Sequence, residues 1–118
     1  AVADSKKLSR AADAAIRRSR QADGVAISAI TLWELASLVA RGRIRDYGTV
    51  ENSVNRLIEG VTIKPITPEI AALATQFPND YPHDPADRLI GATARAEGLA
   101  LVTRDENIRK SPLLKTIW

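Results

Sequence analysis

The chain contains no cysteine and no methionine among its 118 residues. Without cysteine it has neither a disulfide framework nor a thiolate metal site. No apolar run approaches the ~20 residues that a membrane-spanning helix needs. No signal-peptide pattern is visible in the given residues. We therefore expect a cytoplasmic protein that has no membrane partner.

Several families of enzymes and nucleotide-binding proteins are excluded by motifs that the chain lacks. No GxxxxGK[ST] or GxGxxG sequence occurs, which excludes P-loop and dinucleotide-binding proteins. The single histidine, His83, has no serine or cysteine partner at a nucleophile motif, so a catalytic triad is excluded and a solvated loop histidine is expected. Aromatic residues make up 4% of the chain, too few for a base-stacking platform.

The charge balance is mildly basic. Seventeen lysines and arginines stand against 14 acidic residues, giving a formal net charge of +3. The sequence pI is about 9.6. A basic surface favours a nucleic-acid partner without requiring one.

Helical and extended patterns alternate along the whole chain. Thr67-Pro68 predicts a helix start with threonine as N-cap and proline at the first helical position. The apolar spacing predicts helices over 8–22, 31–42, 49–59, 67–77 and 86–97, a short helix after Thr103, and strands over 25–28, 61–63, 99–102 and 115–118. This alternation predicts a single α/β domain over 1–118, with a parallel sheet covered by helices on both faces.

Three acidic residues follow predicted strands or begin predicted helices: Glu34, Asp87 and Asp105. The carboxyl ends of parallel strands share one edge of a sheet, where ligands bind. Three carboxylates gathered there repel one another unless a cation offsets their charge. Mg²⁺ prefers such oxygen ligands, so a shared site predicts a metal-dependent hydrolase acting on phosphates.

Each of these acids also has a structural interpretation as part of a helix cap. Thr31 and Glu34 match a capping box, in which the acid at the third helical position bonds back to the N-cap residue. Asp84 and Asp87 match a second box. In a third box, Thr103 to Glu106, the boxing acid is Glu106, which leaves Asp105 free. Capping and metal binding are not exclusive, and both interpretations stay open for Glu34 and Asp87.

Several segments together resemble the PIN-domain ribonucleases, and most closely the VapC-type toxins of toxin–antitoxin pairs. The run 84–90, DPADRLI, is similar to the D-P-x-D-R signature of that family, whose second aspartate is a metal-site acid. The likeness is also carried by ISAITLWELA at 27–36, ITPEIA at 66–71, LVTRD at 101–105 and TIW at 116–118. It covers essentially the whole chain, and the motifs are specific through their order.

The resemblance implies a three-layer PIN-like α/β fold and a metal-dependent endoribonuclease that cleaves RNA. Asp87 and Asp105 would be the main ligands of one or two Mg²⁺ or Mn²⁺ ions, with Glu34 as a ligand or a water-orienting base. Arg88 and Thr103 would support the site or contact phosphate. The implied partners are an RNA substrate, a cognate antitoxin protein and further copies of the chain, in a homo-oligomer.

The N-terminus of the chain departs from the family pattern. The first strand of the family, which ends in an aspartate, should precede Ala1, whereas polar, helix-like sequence begins there directly. We therefore expect a truncated PIN-like domain that lacks one strand and one metal-site acid, binds metal weakly alone, and self-associates. The alternative is a catalytically silent PIN-like module that binds a protein or RNA partner.

Overall fold

The computed structural model of the chain describes residues 9–44 and 46–118, in which helices and strands alternate as predicted. The helices are α1 Arg10–Gln21, α2 Ala29–Ala40, α3 Val50–Leu57, α4 Pro68–Thr75, α5 Pro85–Glu97 and α6 Glu106–Arg109; the strands are β1 Val25–Ser28, β2 Val61–Lys64, β3 Leu101–Val102 and β4 Thr116–Ile117. The α/β fold class is thereby confirmed. In the part described, no helix combines the length and apolar character needed to cross a membrane.

The strands pair in parallel, as predicted, but in two separate pairs within the described residues. β1 pairs with β2, with Val25 opposite Val61, and β3 pairs with β4, with Leu101 opposite Thr116. Helix α5 packs against β1 and also against α2 and α4. It therefore ties the first strand pair to the helical layer.

The strand predicted over 99–102 is shorter in the structure, and its first part belongs to the end of α5. Gly98 adopts the left-handed conformation at φ 66°, and the N–H of Leu99 donates to the Ala94 carbonyl at 2.9 Å. This helix-terminating bond uses the Leu99 N–H, so extended pairing begins only at Leu101.

The predicted starts of α4 and α5 are confirmed by the capping bonds of Thr67 and Asp84. The Ser9 hydroxyl accepts from the N–H of Ala12 at the start of α1, and Thr67 accepts from Ile70 with Pro68 in the first turn of α4. Residues 1–8, including the start of the predicted helix 8–22, lie outside the described residues.

A hydrophobic core lies between α4, α5, α6 and the loop that joins α4 to α5. Its buried members are Ile70, Ala74, Phe77, Tyr81, Ala92 and Ile108. The rings of Phe77 and Tyr81 meet edge to face with centroids 4.5 Å apart. Because Asp87 and Asp105 each lie within a few residues of this core, the packing of the core fixes the backbone from which their side chains extend.

Candidate functional site

Glu34 lies inside α2, where its side chain has no role in capping the helix. The helix begins at Ala29, and the Ser28 hydroxyl caps it by accepting from the N–H of Ile30 at 3.3 Å. The predicted Thr31–Glu34 capping box is therefore wrong. The reason is local: Ser28, a good N-cap residue, directly follows β1 and starts the helix three residues earlier than Thr31 would.

One carboxylate oxygen of Glu34, Oε1, is buried and makes no hydrogen bond within the described residues. A buried acceptor without a donor costs about 1–3 kcal/mol, and more when it is charged. Capping does not compensate this cost. The unpaired oxygen is the kind of group that a metal ion or a bound water would satisfy.

Asp87 is the third residue of α5, and the predicted helix start around it is confirmed. The Asp84 carboxylate caps the helix, with Oδ1 accepting from the N–H of Ala86 at 2.8 Å and of Asp87 at 3.4 Å, and Pro85 is the first helical residue. The returning bond of a capping box is not made by the Asp87 side chain in the described structure. The half-buried Asp87 carboxylate therefore makes no capping bond to its own helix in the described structure.

Asp105 itself caps α6, so the prediction that Glu106 leaves it free is wrong. Its Oδ1 accepts from the N–H of Asn107 at 2.9 Å and of Ile108 at 3.0 Å. The buried Thr103 hydroxyl accepts from the N–H of Asp105 at 3.2 Å, which shapes the turn after β3. Both capping bonds fall on one oxygen, so Oδ2 remains available to a ligand.

Asp84, Asp105 and Glu34 lie near enough to Asp87 for their charges to affect its pKa. Burial raises the pKa of Asp87 above its ordinary value of 3.8, and the negative charges of Asp84, Asp105 and Glu34 raise it further. These carboxylates therefore repel the Asp87 charge, as expected for a site that gathers acids. Within residues 9–44 and 46–118 no three acidic or histidine side chains are close enough to form a ready ligand set. The shared metal site stays a prediction.

Arg88 was expected to support the site or to contact phosphate, and in the structure its guanidinium donates to five backbone carbonyls. Its Nε donates to Pro82, Nη1 to Ala74 and Phe77, and Nη2 to Pro78 and Tyr81, over 3.0–3.5 Å. A guanidinium has five N–H donors, and these bonds occupy all of them. Arg88 therefore fastens the α4–α5 loop and has no donor left for phosphate.

Tyr81, which the sequence analysis did not assign to the site, donates its hydroxyl to the backbone carbonyl of Asp87 at 3.1 Å. Its pKa rises from 10.0 to about 12 through burial and the charges of Asp87 and Asp105, with Arg88 acting in the opposite direction. The hydroxyl thus stays protonated and remains a donor. Gly91, a glycine within a predicted helix, was the available signal of a close approach at this point.

The other loop groups are structural. His83 Nε2 lies 2.9 Å from the Asn79 carbonyl, in an exposed turn.

An open cleft of about 570 Å³ lies beyond Asp105, and its lining was not predicted. It is lined by Glu106, Arg109, Lys110, Thr116, Ile117 and Trp118. The cationic side chains of Arg109 and Lys110 and the indole ring of Trp118 therefore line the same cleft as Glu106, which follows Asp105.

Comparison with known proteins agrees with this architecture. The PIN domain family model matches residues 1–112. The chain is 42% identical over 118 residues to Ribonuclease VapC22 of Mycobacterium tuberculosis, covering 98% of the chain and 88% of that protein.

Two solved structures share the fold at low sequence identity. One is a toxin–antitoxin complex from Klebsiella pneumoniae, at a TM-score of 0.60 and 24% identity, covering 75% of this chain and 70% of that one. The other is VapBC2 from Rickettsia felis bound to a DNA fragment from its promoter, at a TM-score of 0.65 and 18% identity, covering 88% and 81%. Together with the family match, these relationships show that the chain belongs to the PIN-domain family, as a VapC-type member.

Proposed function

We propose that the protein is a metal-dependent endoribonuclease, the toxin of a toxin–antitoxin pair. The observation that carries the proposal is the buried Glu34 Oε1 without a donor. It lies near an Asp87 carboxylate whose pKa is raised by burial and then by the charges of Asp84, Asp105 and Glu34. Within the described residues no hydrogen-bond donor satisfies the Glu34 oxygen, and the neighbouring acids repel the charge of Asp87. The relative named Ribonuclease VapC22 supports RNA as the substrate.

The carboxylate oxygens of the three acids are the donor type that a hard divalent cation prefers, and the ion would draw them closer together than they lie in the described structure. Glu34, Asp87 and Asp105 supply carboxylate oxygens, among them the unpaired Glu34 Oε1 and the Asp105 Oδ2 that capping leaves free. Such oxygens suit Mg²⁺ or Mn²⁺. When bound there, the ion supplies a water of lowered pKa and charge stabilisation at the scissile phosphate.

The residues of the chain have separate roles in this proposal. Asp87 and Asp105 would hold the ion, and Glu34 would either bind it or act as the base that orients a water molecule. The cations of the cleft, Arg109 and Lys110, attract the phosphate backbone of the RNA. Arg88 makes no substrate contact, because its donors are bound to carbonyls.

The test is cleavage of purified transfer and ribosomal RNA by the full chain in millimolar Mn²⁺, with and without EDTA. We expect EDTA to abolish cleavage, and Asp87→Asn, Asp105→Asn and Glu34→Gln each to lower the rate by roughly 10²–10⁴-fold. The exposed Asp23 precedes β1, whereas Glu34 lies on α2 beyond the other end of that strand, so Asp23→Asn is the matched control and should cleave normally. RNA binding without cleavage would favour the catalytically silent module instead.

We further propose a cognate antitoxin protein as partner, self-association into a homo-oligomer, and action in the cytoplasm. The antitoxin is supported by the two solved structures of the same fold, one a toxin–antitoxin complex and the other VapBC2. Light scattering of the purified chain tests self-association, and a monomer at micromolar concentration would contradict it.

A further inference from the structure

The inference begins at the bond between Tyr81 and the backbone of Asp87. Tyr81 is 1% exposed, and its hydroxyl donates to the Asp87 carbonyl at 3.1 Å. That carbonyl belongs to the first turn of α5. A buried ring with a fixed hydroxyl thereby fixes the backbone of a proposed metal ligand, at a point in the helix where fraying is greatest.

Gly91 makes this approach possible. A Cβ atom at Gly91 would lie 2.2 Å from the Tyr81 hydroxyl oxygen and 2.8 Å from Phe77 Cε2. Glycine inside a helix is destabilising relative to alanine. Its presence here is explained by the space that the tyrosine ring occupies over the helix.

Arg88 holds the same tyrosine from the loop side. Its guanidinium donates to the carbonyls of Tyr81 and Pro82 as well as to those of Ala74, Phe77 and Pro78. The end of α4, the loop and the start of α5 are therefore joined through one side chain. Arg88 directly follows Asp87 in the sequence, so this clamp also fixes the peptide that carries the proposed ligand.

We propose that Tyr81 and Arg88 are positioning residues of the metal site, which hold the backbone of Asp87 so that its carboxylate is presented in one orientation, with Gly91 providing the necessary space. This inference rests on the proposed function, since it concerns affinity for the ion held by Asp87. Neither side chain touches the ion or the RNA. They act through Asp87, much as groups behind metal ligands orient those ligands elsewhere.

The test measures Mn²⁺ affinity of the full chain by electron paramagnetic resonance of the free ion, together with urea unfolding. Tyr81→Phe keeps the ring and removes only the hydroxyl, and we expect it to weaken Mn²⁺ binding roughly 10–100-fold, the range for losing a group behind a ligand. Arg88→Lys keeps the charge but has three donors in place of five, and should weaken binding in the same direction.

Thr93→Val is the matched control. The buried Thr93 hydroxyl donates to the Leu89 carbonyl at 2.7 Å, so the variant loses the same kind of bond on the same helix. Its free energy of unfolding should fall by about as much as that of Tyr81→Phe, while its Mn²⁺ affinity stays that of the unaltered chain. A purely structural role for Tyr81 would affect both variants alike.

The outcomes separate the two proposals. If the unaltered chain binds Mn²⁺ and Asp87→Asn does not, while Tyr81→Phe and Arg88→Lys both bind as tightly as the unaltered chain, the positioning role is overturned and the metal site stands. Equal losses in Tyr81→Phe and Thr93→Val overturn the positioning role as well. No Mn²⁺ binding by the unaltered chain overturns the proposed function and this inference with it.

Discussion

A carboxylate near a helix start can accept from backbone N–H groups or can remain free for another ligand, and the acids of this chain divide between these uses. Asp84 and Asp105 cap α5 and α6. Glu34 lies well inside α2, and Asp87 makes no return bond to its cap. Glu34 and Asp87, the two acids whose capping interpretation the sequence left open, are thus the two that the helices do not use.

The raised pKa of Asp87 predicts how its replacement changes stability with pH in metal-free buffer. Because the folded state holds the Asp87 proton more tightly than the unfolded chain, stability falls as pH rises from below 3.8 through the raised pKa of the folded state. Asn cannot ionise, so Asp87→Asn should raise the free energy of unfolding at pH 7. This gain should disappear below pH 3.8. Urea unfolding across pH 3–8 measures it.

The control for this prediction is Asp23→Asn, at an exposed position, which should change stability by less than about 0.5 kcal/mol at any of these pH values. A metal-free Asp87→Asn variant that is less stable than the unaltered chain at pH 7 would contradict the crowding of the acids. It would indicate instead that the fold uses the Asp87 charge.

The contact between Gly91 and Tyr81 predicts a coupled pair of substitutions. Gly91→Ala should lower the free energy of unfolding by about 1–3 kcal/mol, because its Cβ would overlap the Tyr81 hydroxyl oxygen and force the ring to move. In a Tyr81→Phe background the overlap with the hydroxyl oxygen is absent, so Gly91→Ala should lower the free energy of unfolding by less. A double-mutant cycle by urea unfolding measures the coupling. Strictly additive costs would show that the hydroxyl is not what Gly91 accommodates.

At the scale of secondary-structure elements, the start of α5 combines a favourable cap with an unfavourable charge. Asp84 accepts from two N–H groups, but its charge also raises the pKa of Asp87. Asp84→Ala removes the cap and should destabilise the protein by about 1 kcal/mol. Asp84→Asn keeps an acceptor and removes the charge, so its stability should remain close to that of the unaltered chain.

Thermal or urea unfolding measures both Asp84 variants, with Asp80→Ala as the control because Asp80 is exposed in the preceding loop. Equal destabilisation by Ala and Asn at position 84 would mean that the negative charge, rather than the capping bonds, stabilises the start of α5. That result would contradict the assignment of Asp84 as a cap with a net repulsive charge.

Two boundaries of secondary-structure elements differ from those predicted: the start of α2 and the start of β3. Thr31 and Ser28 are both good N-cap residues, and the helix begins at the one that directly follows β1. Leu99 has the apolar character of a strand residue, yet its N–H terminates α5. The bond from the Ile30 N–H to the Ser28 hydroxyl sets the start of α2, and the bond from the Leu99 N–H to the Ala94 carbonyl delays the start of β3. Residue type alone did not determine either boundary.

For the whole molecule, ion binding should be visible as a change in stability. A ligand that binds only the folded state at 100 times its Kd stabilises by about 2.7 kcal/mol. We expect saturating Mn²⁺ to raise the free energy of unfolding of the unaltered chain and of Asp23→Asn by such an amount. Glu34→Gln and Asp87→Asn should gain clearly less. Equal gains in all four proteins would mean that these acids serve only the fold.

The sequence by itself determined the alternation of helices and strands, the caps at Thr67 and Asp84, and the three acids proposed for the site. These features depend on periodicity and on bonds that span a few residues, which local residue types specify. The family resemblance, carried by the order of short motifs, was likewise confirmed.

Only the tertiary structure decided how these residues are used. It buried one Glu34 oxygen without a donor, used every donor of Arg88 on carbonyls 6–14 residues away, and placed Tyr81 over Gly91. From the sequence alone, Arg88 was expected either to support the site or to contact phosphate, and Tyr81 was assigned no role in the site. The physical reason is that these contacts join segments that meet only when α4 and α5 pack together, and no local pattern in the chain records which donors and acceptors that packing brings into reach.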